Sequence, residues 1–345
     1  MKGGDFVFCL VPAKIALNFM KIAILGASGI GKSHARWFAR HGQQVVAILG
    51  SSDESAAQTG VLLNQEFGFS GLTYSSLTAL LQETQPDAVC IATPSTLHFA
   101  QALESLEAGA HVLCEKPLVY APGRKLRENM DGAKELVRLA RKKQLVLATQ
   151  LQYGAATPIL CKLAGTSPRE VGDFAMEIET FNAHAPREPR ELWMDLAPHA
   201  LSVVQFLGGQ GAQLAEDSIR IHHNRETEKT EVTSRFQINC ADGRVLTARA
   251  ILRALDGTFV TRRPLRRFAF NGRVVHYTGA HAPDGTYHAQ YITPDGYDNL
   301  YHDPVNYLIG DFLSAIRNNR DPLITGELGM QNLEWLIKMA ERFEN

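Results

Sequence analysis

Met20-Lys21-Ile22-Ala23-Ile24-Leu25-Gly26-Ala27-Ser28-Gly29-Ile30-Gly31 is the stretch that decides the fold. Residues 22–25 form a continuous apolar run, the mark of a strand buried on both faces. A glycine-rich turn follows, and then a helical pattern over about residues 30–40. In it Ile30, Trp37 and Phe38 keep helical spacing, and Gly42 suits the C-terminal end. Strand, glycine turn and helix in this order form the dinucleotide fingerprint, G-x-G-x-x-G. Gly26 makes the tight turn, and Gly31 lets helix and strand pack closely. Ser28 fills the middle glycine slot, with Gly29 beside it. Backbone N–H groups at the start of the helix, at Ile30 and its neighbours, then face a pyrophosphate where the helix dipole favours negative charge.

Downstream the alternation continues. Residues 45–49 are a second apolar run, and residues 53–67 read as a helix with Asp53 in or near the capping position. A brief strand over 72–74 precedes a short helix over 76–83. Residues 88–92 (AVCIA) and 111–114 (HVLC) are further buried strands, with a helix over 96–108 between them. Strand and helix alternating at this spacing imply right-handed crossovers and a doubly wound parallel sheet with helices on both faces.

The second half reads differently. In residues 173–181, Phe174, Met176 and Ile178 point one way while Ala175, Glu177 and Glu179 point the other, as in a half-exposed strand. Strands are expected over 231–239 and 244–251 around Asp242-Gly243, and over 267–270 and 273–277 around Asn271-Gly272. Asx-Gly between alternating runs signals a hairpin, and another such pair is Asp284-Gly285. The chain closes on two amphipathic helices, one with Val305, Leu308, Ile309, Phe312, Leu313 and Ile316, the other with Leu333, Leu336, Ile337 and Ala340. The fold class is therefore α/β, an N-terminal Rossmann domain over 20–147 followed by an α+β domain over 148–345 with a mostly antiparallel sheet. The last helices are free to pack back on the first domain.

Bulk properties agree. A length of 345 residues suggests two domains. Lys plus Arg is 35 and Asp plus Glu is 36, a net charge of −1, which argues against a general nucleic-acid binder. No apolar run approaches a membrane span. The five cysteines (Cys9, Cys90, Cys114, Cys161, Cys240) form no CxxC pair, and the histidines show no HExxH, so no metal site is expected and a reducing cytoplasm fits best. The adjacent His222 and His223 fall on opposite faces of a strand. Residues 1–19 hold a short apolar stretch broken by Pro12 and Lys14, with Asp5 where a signal peptide would be basic. They read as a disordered extension or an over-long translation start.

For NAD, an acid should end the second strand and hold the ribose hydroxyls. That slot is Gly50, followed by Ser51 and Ser52, and Asp53 comes three residues late. With no acid to repel a 2′-phosphate, the turn favours NADP over NAD.

Two further stretches carry chemistry: Ile91-Ala92-Thr93-Pro94-Ser95-Thr96-Leu97-His98, and Gly109-Ala110-His111-Val112-Leu113-Cys114-Glu115-Lys116-Pro117-Leu118. With the glycine turn they closely resemble the Gfo/Idh/MocA family of nicotinamide-dependent oxidoreductases, strongly over residues 20–120 and thinly after 200. The resemblance implies a Rossmann domain joined to a domain whose large open sheet often mediates oligomerisation, hence a homodimer or homotetramer. It implies Thr93, Pro94, His98, Glu115 and Lys116 at the cofactor, and Lys116 beside the nicotinamide and the substrate hydroxyl, with a Lys116–Pro117 bond that is often cis. Independently, ligands gather at the carboxyl ends of parallel strands, and an ammonium fixed there would stabilise a developing oxyanion.

A second family motif, D-x-G-x-H-x-x-D, is matched by Asp195 and His199, with Ala197 for the glycine and Ser202 for the last Asp. Residues four apart share a helix face, and histidine titrates near neutrality. The implied roles are His199 as general base, Asp195 as its partner or a substrate contact, and Lys116 as the stabiliser of the alkoxide. Tyr153, Arg187, Arg190 and Trp193 could line the substrate pocket. The basic run Thr261-Arg262-Arg263-Pro264-Leu265-Arg266-Arg267 reads either as a solvated loop entering an edge strand or as a grip on an anionic substrate. The aromatic and histidine-rich stretch from His281 through Tyr287, His288, Tyr291 and Tyr301 to His302 fits hairpin packing better than sugar stacking. The expected protein is an oxidoreductase interconverting a secondary alcohol and a ketone on a sugar or polyol. The alternatives are a relative that uses its nucleotide transiently to cleave glycosides, and a non-enzymatic dinucleotide-binding regulator.

Overall fold

The computed structural model describes residues 19–182, 187–257, 263–281, 287–293 and 296–344. Residues 1–18, Thr261, Arg262 and the Asp284-Gly285 pair lie outside the described residues.

The first domain is built as β1 (Lys21–Leu25), α1 (Ile30–Arg40), β2 (Gln44–Leu49), α2 (Asp53–Phe67), β3 (Leu72–Tyr74), α3 (Leu77–Thr84), β4 (Ala88–Ile91), α4 (Ser95–Glu107), β5 (His111–Glu115), α5 (Leu126–Lys143) and β6 (Leu147–Gln150). Its six strands lie in the order β3-β2-β1-β4-β5-β6, all parallel. Every residue of β4 and β6 is buried, the pattern of strands covered on both faces. The chain builds outward from β1 through β2 to β3, then returns to β4 on β1's other side. That switch point, between β1 and β4, is where a doubly wound sheet opens a ligand crevice at the carboxyl ends of its strands. Helix α2 is capped by Ser52, whose hydroxyl accepts from the Ser55 N–H at 3.2 Å, so Asp53 opens the first turn rather than capping it.

The second domain continues as α6 (Gln152–Leu163), β7 (Asp173–Asn182), α7 (Pro189–Gly208), β8 (Gln213–Arg225), β9 (Lys229–Asn239), β10 (Val245–Asp256), β11 (Arg266–Phe270), β12 (Arg273–His281), β13 (Tyr287–Thr293), β14 (Gly296–His302), α8 (Pro304–Asn318) and α9 (Gly326–Ala340). Its eight strands run β14-β13-β12-β11-β7-β10-β9-β8, and only the β7–β10 pair is parallel. Asn271 and Gly272, both at positive φ (49° and 80°), form the tight turn between β11 and β12. Alternate residues of β9, Val232, Phe236 and Ile238 among them, are buried on the inner face. They share one apolar core with Leu196, Ala200, Val203 and Val204 of α7.

The last helices return to the first domain. Val305, Ile309, Phe312 and Leu313 of α8 join a cluster with Ile22, Ile24 and Phe38, and Phe38 meets Phe312 edge-on at 6.5 Å. Helix α9 lies against α5, α7 and β6. Among the described residues no helix is long and apolar enough to cross a membrane, and no group of three or more His, Cys, Asp or Glu side chains could hold a metal ion.

Candidate active site

The glycine turn forms one wall of the site. Gly26 has φ +82°, and a Cβ there would stand 2.8 Å from the Ala92 oxygen and the Thr93 nitrogen, so the turn packs directly on the end of β4. A Cβ on Gly31 would come within 2.4 Å of the Gly26 oxygen. By contrast, nothing lies within 4 Å of where a Cβ of Gly29 would be. Gly29 caps α1 with no side-chain hydrogen bond, and the first turn holds no acid. The Lys32 N–H is taken by the Gly29 oxygen at 3.1 Å, while the Ile30 and Gly31 N–H groups ahead of it stand at the helix start beside that clear space, as a pyrophosphate requires. These residues fit a dinucleotide.

The remaining walls come from three elements. Thr93, Pro94 and Ser95 follow β4, Glu115 and Lys116 end β5, and α7 contributes Arg190, Asp195 and His199. Together with Ile30 and Gln152 they line a cleft of about 1540 Å³. The Lys116–Pro117 bond is cis. Lys116 Nζ donates to Asp195 Oδ1 at 2.7 Å and to the Asp195 backbone oxygen at 2.9 Å. The other carboxylate oxygen of Asp195 pairs with Arg187. Burial opposes charge on Asp195, but Lys116 and Arg187 outweigh it and hold its carboxyl well below the usual carboxylate range. One turn on, His199 faces the cleft. Burial, and then the Lys116 ammonium, push its imidazole down to about 3, so it is neutral near pH 7. Its Nδ1 is buried without a hydrogen-bond partner among the described residues, which leaves Nε2 toward the cleft.

Several expected site residues stand elsewhere. His98 is not a cleft residue: it is 1% exposed, and its ring nitrogens meet the Pro117 oxygen at 2.8 Å and the Thr93 oxygen at 2.9 Å. It ties the end of β4 to the end of β5. Trp193 is fully buried, with its indole N–H on the Leu336 oxygen at 3.0 Å and its ring against Phe343, so it packs α7 onto α9 rather than lining a pocket. Tyr153 is also buried, behind His199 with ring centroids 5.1 Å apart. The hydroxyl of Ser52 is used as the α2 cap and that of Thr93 donates to Gln101 at 2.6 Å. Ser51 and Ser28 are exposed at the ends of β2 and β1.

One residue escaped sequence reading. His34, fully buried on α1, meets Glu115 Oε1 at 2.9 Å. Burial works against its charge, but Cys90 and the Glu115 carboxylate outweigh it and raise the imidazole to about 10. Glu115, despite its burial, is held low by His34 and Lys116. The available signal was spacing, since Gly31, Ala35 and Phe38 put His34 on the buried stripe of α1.

A glycine turn at a switch point, and a lysine and histidine from opposite walls of one cleft, define a dinucleotide-binding oxidoreductase. Residues 20–151 match the family model GFO_IDH_MocA, described as an oxidoreductase family with an NAD-binding Rossmann fold. That match spans the first domain, and similarity to the relatives below extends along the rest of the chain. The chain is 26% identical over 342 residues to a UDP-N-acetylglucosamine 3-dehydrogenase of Acidithiobacillus ferrooxidans, covering 94% of this chain and 97% of that one. It is 34% identical over 119 residues to a D-glucoside 3-dehydrogenase of Escherichia coli, a match spanning 34% of this chain and 32% of the relative. Among solved structures, the Acidithiobacillus enzyme superposes with a TM-score of 0.65 at 23% identity, covering 94% and 97% of the two chains. The scyllo-inositol dehydrogenase of Lactobacillus casei, solved with NAD(H) and scyllo-inositol, gives 0.66 at 15% identity with the same coverage.

Proposed function

We propose that this oxidoreductase interconverts a secondary alcohol and a ketone on a sugar, polyol or related cyclic substrate. The observation that carries this reading is the convergence of Lys116, from the end of β5, and His199, from α7, on one cleft beside the glycine turn. The relatives that act on sugar hydroxyls support the substrate class.

The turn from Gly26 to Gly31 would hold the pyrophosphate on the first N–H groups of α1, and Thr93, Pro94, Glu115 and Lys116 are the residues that would receive the nicotinamide. When bound, that group accepts or supplies the hydride. Lys116, braced by Asp195, stabilises the substrate oxygen as it gains negative charge. His199, neutral and open to the cleft at Nε2, takes the hydroxyl proton on oxidation and returns it on reduction. Asp195, fixed between Lys116 and Arg187, aims the ammonium. Arg190, on the same wall, is the candidate contact for the rest of the substrate. The test is nicotinamide absorbance across polyols, sugars and their oxo forms with both cofactors. Turnover should collapse in Lys116→Ala and His199→Ala while cofactor binding survives. Near-full activity of the histidine variant overturns its assignment.

NADP is the preferred cofactor in this reading. The slot after β2 is Gly50-Ser51-Ser52, with no acid in it; the first acids, Asp53 and Glu54, come later and open α2, where Asp53 accepts from the Ser75 hydroxyl at 2.5 Å. Tighter binding of NAD than of NADP overturns the preference. The dinucleotide belongs to the domain read as residues 20–147, whose sheet β6 extends to Gln150. The substrate and a second copy of the chain belong to the remainder. On the outer face of the large sheet, Glu177 and Glu179 are nearly buried beneath Arg253, with Arg267 also on Glu177. A homodimer or homotetramer through that face is expected, and light scattering on the purified protein checks it.

A further inference from the structure

Behind His199 stands a guanidinium that the reaction above does not use. Arg266 opens β11, and Phe268 and Phe270, two and four residues on, are fully buried. Strand alternation therefore turns Arg266 to the same inner face. It lies over the ring of Tyr277, 5.4 Å from the centroid, and Tyr277 shares a 2.6 Å hydroxyl hydrogen bond with Tyr287. Tyr153 stands between this cluster and the cleft, edge-on to Tyr277 at 5.9 Å and to His199 at 5.1 Å. Three buried polar atoms here have no hydrogen-bond partner among the described residues: Arg266 Nε, Tyr153 Oη and His199 Nδ1. No carboxylate among the described residues forms a salt bridge with Arg266, but the charge of Asp303, just before α8, acts on it through space and favours the guanidinium.

A guanidinium whose Nε is buried without a hydrogen-bond partner is costly on the core face of a sheet, and an apolar side chain of similar volume would avoid that penalty. Packing therefore does not account for it. Its position does: His199 has one cation, Lys116, on the cleft side and a second, Arg266, on the core side.

We propose that Arg266 is a positioning residue for His199, with Tyr153 as the rigid spacer between them. Together they hold the imidazole in one orientation and keep it neutral, so that Nε2 is ready to take the substrate's proton. This rests on His199 being the proton acceptor. The other groups that face the imidazole are Glu115 and Lys116 at the end of β5 and Asp195 on α7 with Arg187 behind it. The Tyr153 ring meets the imidazole edge-on, and Tyr277, Tyr287 and the Asp303 carboxylate act on Arg266 and Tyr153 behind it. Burial, Lys116 and Arg266 disfavour the imidazolium, while Asp195 and Glu115 favour it.

The test is an NMR titration of the full chain labelled with 13C-histidine, without cofactor or substrate, using His199→Asn to identify the signal. In the natural chain His199 stays neutral well below pH 6. Arg266→Met should raise its midpoint by about one pH unit or more, as expected for a full charge removed from a partly buried site. Arg266→Lys should leave it low. The melting temperature of Arg266→Met should be no lower than that of the natural chain. An unchanged His199 titration in a folded Arg266→Met overturns the proposal. If that variant does not fold, Arg266→Gln reads the same titration, and failure of both to fold also overturns it by making the guanidinium structural. In turnover assays the acid limb of kcat/KM moves to higher pH in Arg266→Met and returns in Arg266→Lys. A titration shift with unaltered turnover supports the role of Arg266 and instead overturns the assignment of His199 as base.

Discussion

Lys116 is held by two oxygens of Asp195, and Asp195 keeps Arg187 if the lysine is lost. Lys116→Met should therefore fold and bind dinucleotide as before, because the glycine turn supplies the phosphate contacts. Its turnover should fall by about 100-fold or more, and a cofactor titration beside a rate assay checks both halves. His199, at the cleft, and the buried His34 set the pH range of stability in opposite directions. His199 titrates at about 3 when folded, below its ordinary 6.5, so the unfolded chain binds the extra proton between these values and stability falls as pH drops below 6.5. His34, raised to about 10, contributes its stability below 6.5 and loses it as pH climbs toward 10. Denaturant midpoints at pH 5, 7 and 9 should show a flatter acid limb in His199→Asn and a flatter alkaline limb in His34→Gln. Lys116 and His199 were legible in sequence because each sits in a short local motif. The places of His98, Tyr153 and Trp193 were not, because each is decided by a partner 5 to 143 residues away.

At the scale of elements, the turn between β1 and α1 is the most tightly specified. A methyl on Gly31 would meet the Gly26 backbone oxygen at 2.4 Å and Ala92 Cβ at 3.1 Å. The backbone cannot yield there as a flexible side chain would. Gly31→Ala should cost about 1–3 kcal/mol by overpacking and weaken dinucleotide binding, read by denaturant unfolding and cofactor titration. β1, β2, β4 and β5 were readable since burial on both faces leaves a continuous apolar run, whereas β6, which buries the polar Thr149 and Gln150, was not. The hairpin between β11 and β12 was readable from Asn271-Gly272. The basic run before it was not, because one strand sends its arginines to different faces. Arg267 joins Glu177 on the outer face, Arg266 turns inward, and Arg263 bonds the Gly279 oxygen.

For the whole molecule, the return of α8 couples the two halves. Phe312, 1% exposed and edge-on to Phe38, comes from the end of the chain yet completes the core under β1. Trp37 on α1 also donates to Asp303, just before α8, at 3.0 Å. Phe312→Ala should cost about 3–5 kcal/mol and lower the unfolding midpoint of the dinucleotide-binding domain itself, checked by urea unfolding followed through loss of cofactor binding.

The sequence by itself determined the elements of the first domain as far as β5, the glycine turn, the hairpins at Asp242-Gly243 and Asn271-Gly272, and the two motifs carrying Lys116 and His199. These depend on local periodicity and on neighbours a few residues apart. Only the tertiary structure decided which residues meet: Lys116 with Asp195, Glu115 with His34, and Arg266 with the aromatic cluster behind His199. Those contacts depend on strand register, helix packing and burial, and the charge state of His199 is set by the cations and the loss of water that the fold brings to it.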